Sequence, residues 1–135
     1  MIGPMQWTDP IRDTLQAAVN RIIPADDYPN AWDAGVGDYI DRMLSGDLNR
    51  FQQTFLDGLA VLEAKAISQF GKAFAAITLS QQDQILHDVE TTSAEFFRLL
   101  LELTAEGYYC DPSGGGNRGM ISWKMIGFDP KGQAP

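Results

Sequence analysis

The sequence is poor in the residues from which small catalytic and metal sites are built. A single cysteine, Cys110, excludes an internal disulfide and gives no sign of an oxidising compartment. A single histidine, His87, and no cysteine cluster leave no converging set of nitrogen and sulfur donors, of which a zinc site needs three or four. Basic residues are also scarce: 10 lysines and arginines stand against 18 acids, a formal net charge of -8. That field repels phosphate backbones and anionic lipid, which argues against nucleic acid and membrane surfaces as partners. No apolar run approaches the length that spans a bilayer, so direct membrane insertion is not expected. Neither a basic stretch leading into an apolar one nor a twin arginine opens the sequence. As written, the chain reads as cytoplasmic, with the periplasm or cell envelope open to it if it is processed or exported with a partner. There is no G-x-S-x-G elbow, no internal repeat and no low-complexity stretch.

What is present is helical periodicity. At 135 residues and 44% hydrophobic content, the chain can bury a real core as a single domain, residues 1–135. Ile11, Leu15, Ala18, Val19 and Ile22 recur at helical spacing, with Asp9 as the expected N-cap, Pro10 opening the helix and Pro24 stopping it. A second helix is predicted over 31–45, carrying Val36, Tyr39, Ile40, Met43 and Leu44. Gly35 and Gly37 weaken its first turns, which suggests close packing there. A third, capped by Asp47, runs to Phe70 with Phe55, Leu59, Leu62 and Ala66 on one stripe, and Gly71 ends it. Ser80 and Asp83 suggest a capping box for a fourth helix, which carries Ile85, Leu86 and Val89. Thr92 and Glu95 suggest another for a fifth, ending at Gly107. Before residue 108 there is no sustained alternation and no hairpin turn, so the fold is expected to be all-α: about five helices in a bundle-like domain, followed by an irregular C-terminal segment rich in glycine and aromatics.

Gly114, Gly116 and Gly119 spell the G-x-G-x-x-G of a dinucleotide loop. That fingerprint works only where the glycines join a strand to a helix whose N-terminus faces the pyrophosphate, and here a helix precedes them. The residues up to 135 hold no crossover helix or second strand, and no Lys-Ser or Lys-Thr follows to make a P-loop. A tight turn through Asp111, Pro112 and the glycines, braced by Asn117, accounts for them, with contact to a partner or ligand as the alternative.

The remaining chemistry is sparse. His87, near Asp83 and Asp88, is half of a conceivable acid/base pair or a surface histidine. Cys110 is an incidental small hydrophobe or a nucleophile, with no obvious activating partner nearby in sequence. One-dimensional spacing selects no catalytic pair from the carboxylates, and the acids Asp26, Asp27, Asp33, Asp38 and Asp41 form a solvated face or a patch for a basic partner. Trp123, Ile126 and Phe128 are large and apolar in irregular chain. They either fold back over the core as a lid or, with "YYCDP", form a subunit interface.

The pieces "IIPADD" at 22–27, "GYYCDP" at 107–112, "GGN" at 115–117, Trp123 and "IGF" at 126–128 resemble the gluconate 2-dehydrogenase subunit 3 family, and the similarity runs from about Leu15 to Phe128. The chain departs from the family where Ser113 and Gly114 replace an aromatic before the paired glycines, and in lacking the twin-arginine signal that members often carry. The resemblance implies a non-catalytic small accessory subunit of an FAD-dependent sugar or sugar-acid dehydrogenase, one that stabilises, matures or helps export the flavoprotein. It implies no cofactor in this chain, FAD in the large subunit, and haem c in a third, cytochrome subunit. Tyr108, Tyr109, Asn117, Trp123 and Phe128 would serve contact with the partner. The alternatives are a free-standing helical interaction or chaperone-like module and, last, a small enzyme using His87 or Cys110.

Overall fold

A computed structural model describes residues 3–109. Five helices follow one another: α1 (Asp9–Ile22), α2 (Val36–Ser45), α3 (Gln52–Phe70), α4 (Leu79–Thr92) and α5 (Ala94–Tyr109). Single 3-10 turns at Asn49–Phe51 and Phe74–Ala76 precede α3 and α4. No strand occurs among the described residues, as the all-α expectation required.

The last of the described helices, α5, is the hub and packs against the other four. Its burial explains its composition: Phe96, Leu100, Leu103, Thr104, Ala105, Gly107, Tyr108 and Tyr109 are all inside, so its C-terminal half is enclosed on nearly every side. Around it sit Leu15, Ala18 and Val19 of α1, Ile40 and Leu44 of α2, Phe55, Leu59 and Leu62 of α3, and Ile85 and Val89 of α4. These are the apolar stripes read from the sequence, now seen to converge on one core. Helices α3 and α5 approach closely. Gly58 offers no side chain, and the Phe96 ring lies where one would stand, edge-on to Phe55 with centroids 5.4 Å apart.

Helix boundaries differ from expectation in instructive ways. Asp9 is not the N-cap of α1: Thr8 holds that position, and Asp9 and Pro10 lie in the first turn, where a carboxylate suits the helix dipole and proline has no N–H to waste. The second helix starts at Val36 rather than 31, because Gly35 adopts φ +93, a left-handed conformation that interrupts helical winding. Gly37, by contrast, is there for space: a Cβ would stand 2.6 Å from the Trp32 ring. Asp47 does not cap α3, which is entered through the 3-10 turn and closed by Gly71 at φ +76. The fifth helix continues through Gly107 to Tyr109, since that glycine makes room for Tyr39, whose ring lies 2.9 Å from where a Cβ would be.

Neither predicted capping box forms as expected. In α4 the pair is Thr78 and Gln81: the Gln81 amide donates to Thr78 Oγ1 at 3.1 Å and the Thr78 amide to Gln81 Oε1 at 3.0 Å. This frees Asp83 for Arg21 of α1. Thr92 ends α4 instead of opening α5, its hydroxyl donating to the Asp88 carbonyl at 3.1 Å, and Glu95 instead accepts from the Thr54 hydroxyl at 3.4 Å. Thr78→Ala should therefore cost about 1 kcal/mol, read as a lower denaturation midpoint with an unchanged slope, whereas Ser80→Ala should cost little.

Candidate functional site

The end of α5 fastens the acidic segment between α1 and α2. Tyr108, 1% exposed, donates its hydroxyl to the Pro29 carbonyl at 2.8 Å, and Tyr109 stacks edge-on against it with centroids 4.9 Å apart. Tyr39 of α2 donates to Glu106 Oε1 at 3.0 Å. The segment closes on itself as well. The Ala31 amide donates to the Ile23 carbonyl at 3.0 Å, the Tyr28 amide to Asp26 Oδ1 at 2.9 Å, and the Trp32 amide to Asn20 Oδ1 at 2.9 Å. "IIPADDYPNA" is thus an ordered clasp, and Asp26 and Asp27 are exposed because the backbone and Tyr28 take up the inner contacts. Two of the predicted contact residues, Tyr108 and Tyr109, lie inside this clasp. The other three, Asn117, Trp123 and Phe128, lie outside the described residues, as does Cys110.

The two aspartates near His87 in sequence, Asp83 and Asp88, are committed elsewhere. Asp83 takes a two-pronged contact from Arg21, at 2.8 Å from Nε and 2.9 Å from Nη2, which links the last turn of α1 to α4. Those hydrogen bonds raise the Arg21 pKa above its usual value, against a desolvation that lowers it. A raised cation pKa gives up its stabilisation only when pH climbs through it, so on the alkaline side the link persists throughout ordinary conditions. With half of Asp83 in solvent, the pair contributes no more than about 1 kcal/mol. Asp88 pairs with Lys65 at 2.6 Å. His87 itself is on the surface, its Nδ1 3.7 Å from Glu90 Oε1. Among the described residues no three His, Cys, Asp or Glu side chains converge as metal ligands would.

Two recesses lie along one flank of α1, and a third, of about 390 Å³, lies between α3 and the α4–α5 junction. Pro10, Asp13, Thr14 and Ala17 follow the i, i+3, i+4, i+7 rule and so share a helix face. Pro10 and Thr14 line an apolar recess of about 360 Å³ completed by Ile11 and by Leu59, Ala60, Ala64 and Ile67 of α3. Asp13 and Ala17 line the next, about 450 Å³, whose far wall is Pro24, Ala25 and the start of α4 at Leu79 and Gln82. Gln82 is buried there, donating to the Phe74 carbonyl at 2.9 Å. Ile67 at 53% and Leu79 at 59% are the exposed large hydrophobic side chains of the described residues, and each borders one of these recesses. Sequence reasoning passed over both. Ala60, Ala64 and Ile67, spaced by four and three, form a second apolar stripe on α3 that was readable beside the core stripe.

On the other side of α1 a recess of about 350 Å³ lies between Trp7, Trp32, Asp38 and Asp41. Arg12 also lines it, and its Asp41 carboxylate is engaged: the Trp7 indole N–H donates to Asp41 Oδ1 at 2.6 Å, and the Ser45 hydroxyl to the same oxygen at 3.4 Å.

No described helix is long and apolar enough to cross a membrane. A family model described as gluconate 2-dehydrogenase subunit 3 matches residues 10–130. No curated protein and no solved structure matches the chain.

Proposed function

The chain belongs to the gluconate 2-dehydrogenase subunit 3 family, and from that premise we propose that it is the non-catalytic accessory subunit of an FAD-dependent sugar or sugar-acid dehydrogenase. In this reading it stabilises, matures or helps export a large flavoprotein subunit that holds the FAD, and a cytochrome subunit with haem c takes the electrons. The observation that carries it is the extent of the family match, which takes in the whole helical body and most of the glycine- and aromatic-rich residues after it.

The arrangement of the side chains supports the same reading. Of the acids near His87, Asp83 is spent on Arg21 and Asp88 on Lys65, and the one that faces it, Glu90, stands with it on open surface rather than in a cleft. The tyrosines of the "GYYCDP" motif serve a clasp that shapes the surface beside α1. A rigid body with shaped, partly apolar surface and dispersed charge suits binding to another protein better than turning over a small molecule.

The test is co-expression with the flavoprotein dehydrogenase subunit of the same host, with a tag on this chain. The flavoprotein, identified by mass and flavin absorbance, should co-purify. Its sugar-dependent activity in the extract should fall several-fold when this chain is omitted, as expected when a partner's stabilisation is withdrawn. His87→Ala and Cys110→Ser should leave turnover of the assembled complex unchanged. Turnover lost with either substitution would move the chemistry into this chain, and a colourless chain that captures no flavoprotein would make it a free-standing helical module.

A further inference from the structure

We propose that the flavoprotein subunit seats on the flank of α1 between Ile67 and Leu79, inserting apolar side chains into the two adjoining recesses and surrounding them with lysines or arginines. This inference rests on the reading of the chain as an accessory subunit and deepens it by naming the surface and the chemistry that fits it.

Continuity is the first argument. The recesses alternate along a single helical face, Pro10 and Thr14 belonging to one, Asp13 and Ala17 to the other, so one partner element can reach both. The exposed Ile67 and Leu79 stand at the borders of this face, and leaving large apolar side chains half in water costs free energy that a partner recovers on binding. On α3 the small residues Ala60 and Ala64 let a partner's backbone come close beside Ile67.

Charge selects the occupant. The acids lining the recesses are Asp13 and Glu63, with Asp9 one turn before Asp13, and the cation lining the larger recess, Arg21, is already neutralised by Asp83. The whole chain adds a net charge of -8. A second copy would bring the same acids against these and be repelled, while a basic-rimmed apolar surface would be attracted and steered. The Trp7 recess mixes Arg12 with Asp38 and Asp41 and so selects no one sign of charge, and the enclosed tyrosines of α5 offer a partner little surface.

The substitutions that test this can be chosen to suit the helices. Lysine at Ile67 lies in the last turn of α3, where a cation suits the dipole, and glutamine at Leu79 keeps the first turn of α4 polar without adding charge. Ile67→Lys with Leu79→Gln should leave the melting temperature of the isolated chain within about 2 °C. Capture of the co-expressed flavoprotein should fall by about tenfold or more. Asp13→Lys should weaken capture as well, and raising salt from about 0.05 to 0.5 M should weaken wild-type capture, since exposed charges are then screened. Gln84→Glu on the exposed side of α4 is the control and should capture normally.

Wild-type capture with undiminished capture by the double variant would overturn the surface while leaving the accessory role standing. No capture by the wild type would overturn both. A wild-type dimer dissolved by Ile67→Lys would give the face to a second copy, and a large fall in the isolated variant's melting temperature would mean that the chain covers this face itself. Either result overturns the proposal.

Discussion

Gly58→Ala should destabilise the chain by about 1–3 kcal/mol, although alanine is the better helix former by about 1 kcal/mol. The position is in the middle of α3, where propensity alone would predict a gain. The added Cβ, however, would stand 1.9 Å from Phe96 Cγ and 2.1 to 2.4 Å from the flanking ring carbons. The ring has little room to retreat, because Phe96 is 3% exposed and Phe55 meets it edge-on. Relief therefore requires α3 and α5 to move apart, and α5 is the helix against which all the others pack. Equilibrium unfolding followed by circular dichroism would measure the loss. Adding Phe96→Leu to Gly58→Ala should recover part of it, so the two changes couple with a sign that neither single variant reveals. A more stable Gly58→Ala protein would show that the interface is slack, and would sink this account of why glycine occupies the site.

The apolar stripes were legible because each lies within one helix and obeys one period. Phe55, Leu59, Leu62 and Ala66 could be placed on an inner face without knowing what they touch. Glycines were harder, because the same letter answers two different demands. Gly35 and Gly71 are needed for their backbone angles and mark helix ends, whereas Gly37, Gly58 and Gly107 are needed for the space they leave to Trp32, Phe96 and Tyr39. Gly107 was read as a stop because its partner, Tyr39, is distant in sequence, and no local pattern announces such a contact. The capping boxes failed for a related reason. More than one Ser or Thr with an acid or amide three residues on fits the spacing before α4, and the box that forms is Thr78 with Gln81, while Asp83 pairs with Arg21. Of the contact residues expected from family resemblance, Tyr108 and Tyr109 are internal, Tyr108 held by the Pro29 carbonyl far away in sequence and Tyr109 packed edge-on against Tyr108. The outer apolar stripe of Ala60, Ala64 and Ile67 could have been read, but the stronger core stripe on the same helix hid it.

Tyr108→Ala should cost the isolated chain about 3–5 kcal/mol, a large share of the roughly 5–15 kcal/mol that holds a domain of this kind together. The ring is almost wholly enclosed beside Tyr109, so truncation leaves a cavity where α5 meets the clasp. Tyr108→Phe isolates the polar part of the loss: the ring stays, but the Pro29 carbonyl loses its donor, for about 1–2 kcal/mol. The pair of variants separates an internal role from direct contact with a partner. If Tyr108 acts internally, both should lower the unfolding midpoint of the isolated chain, alanine far more than phenylalanine, and capture of the flavoprotein should fall only as far as the folded fraction falls. If the residue instead touched the partner, stability would hold while capture was lost. The clasp also supplies Pro24, Ala25 and Asn30 to the wall of the larger recess beside α1. The surface that receives the partner is thus held in shape by a hydroxyl buried behind it, and Tyr108→Phe reaches the partner only through the stability of the fold.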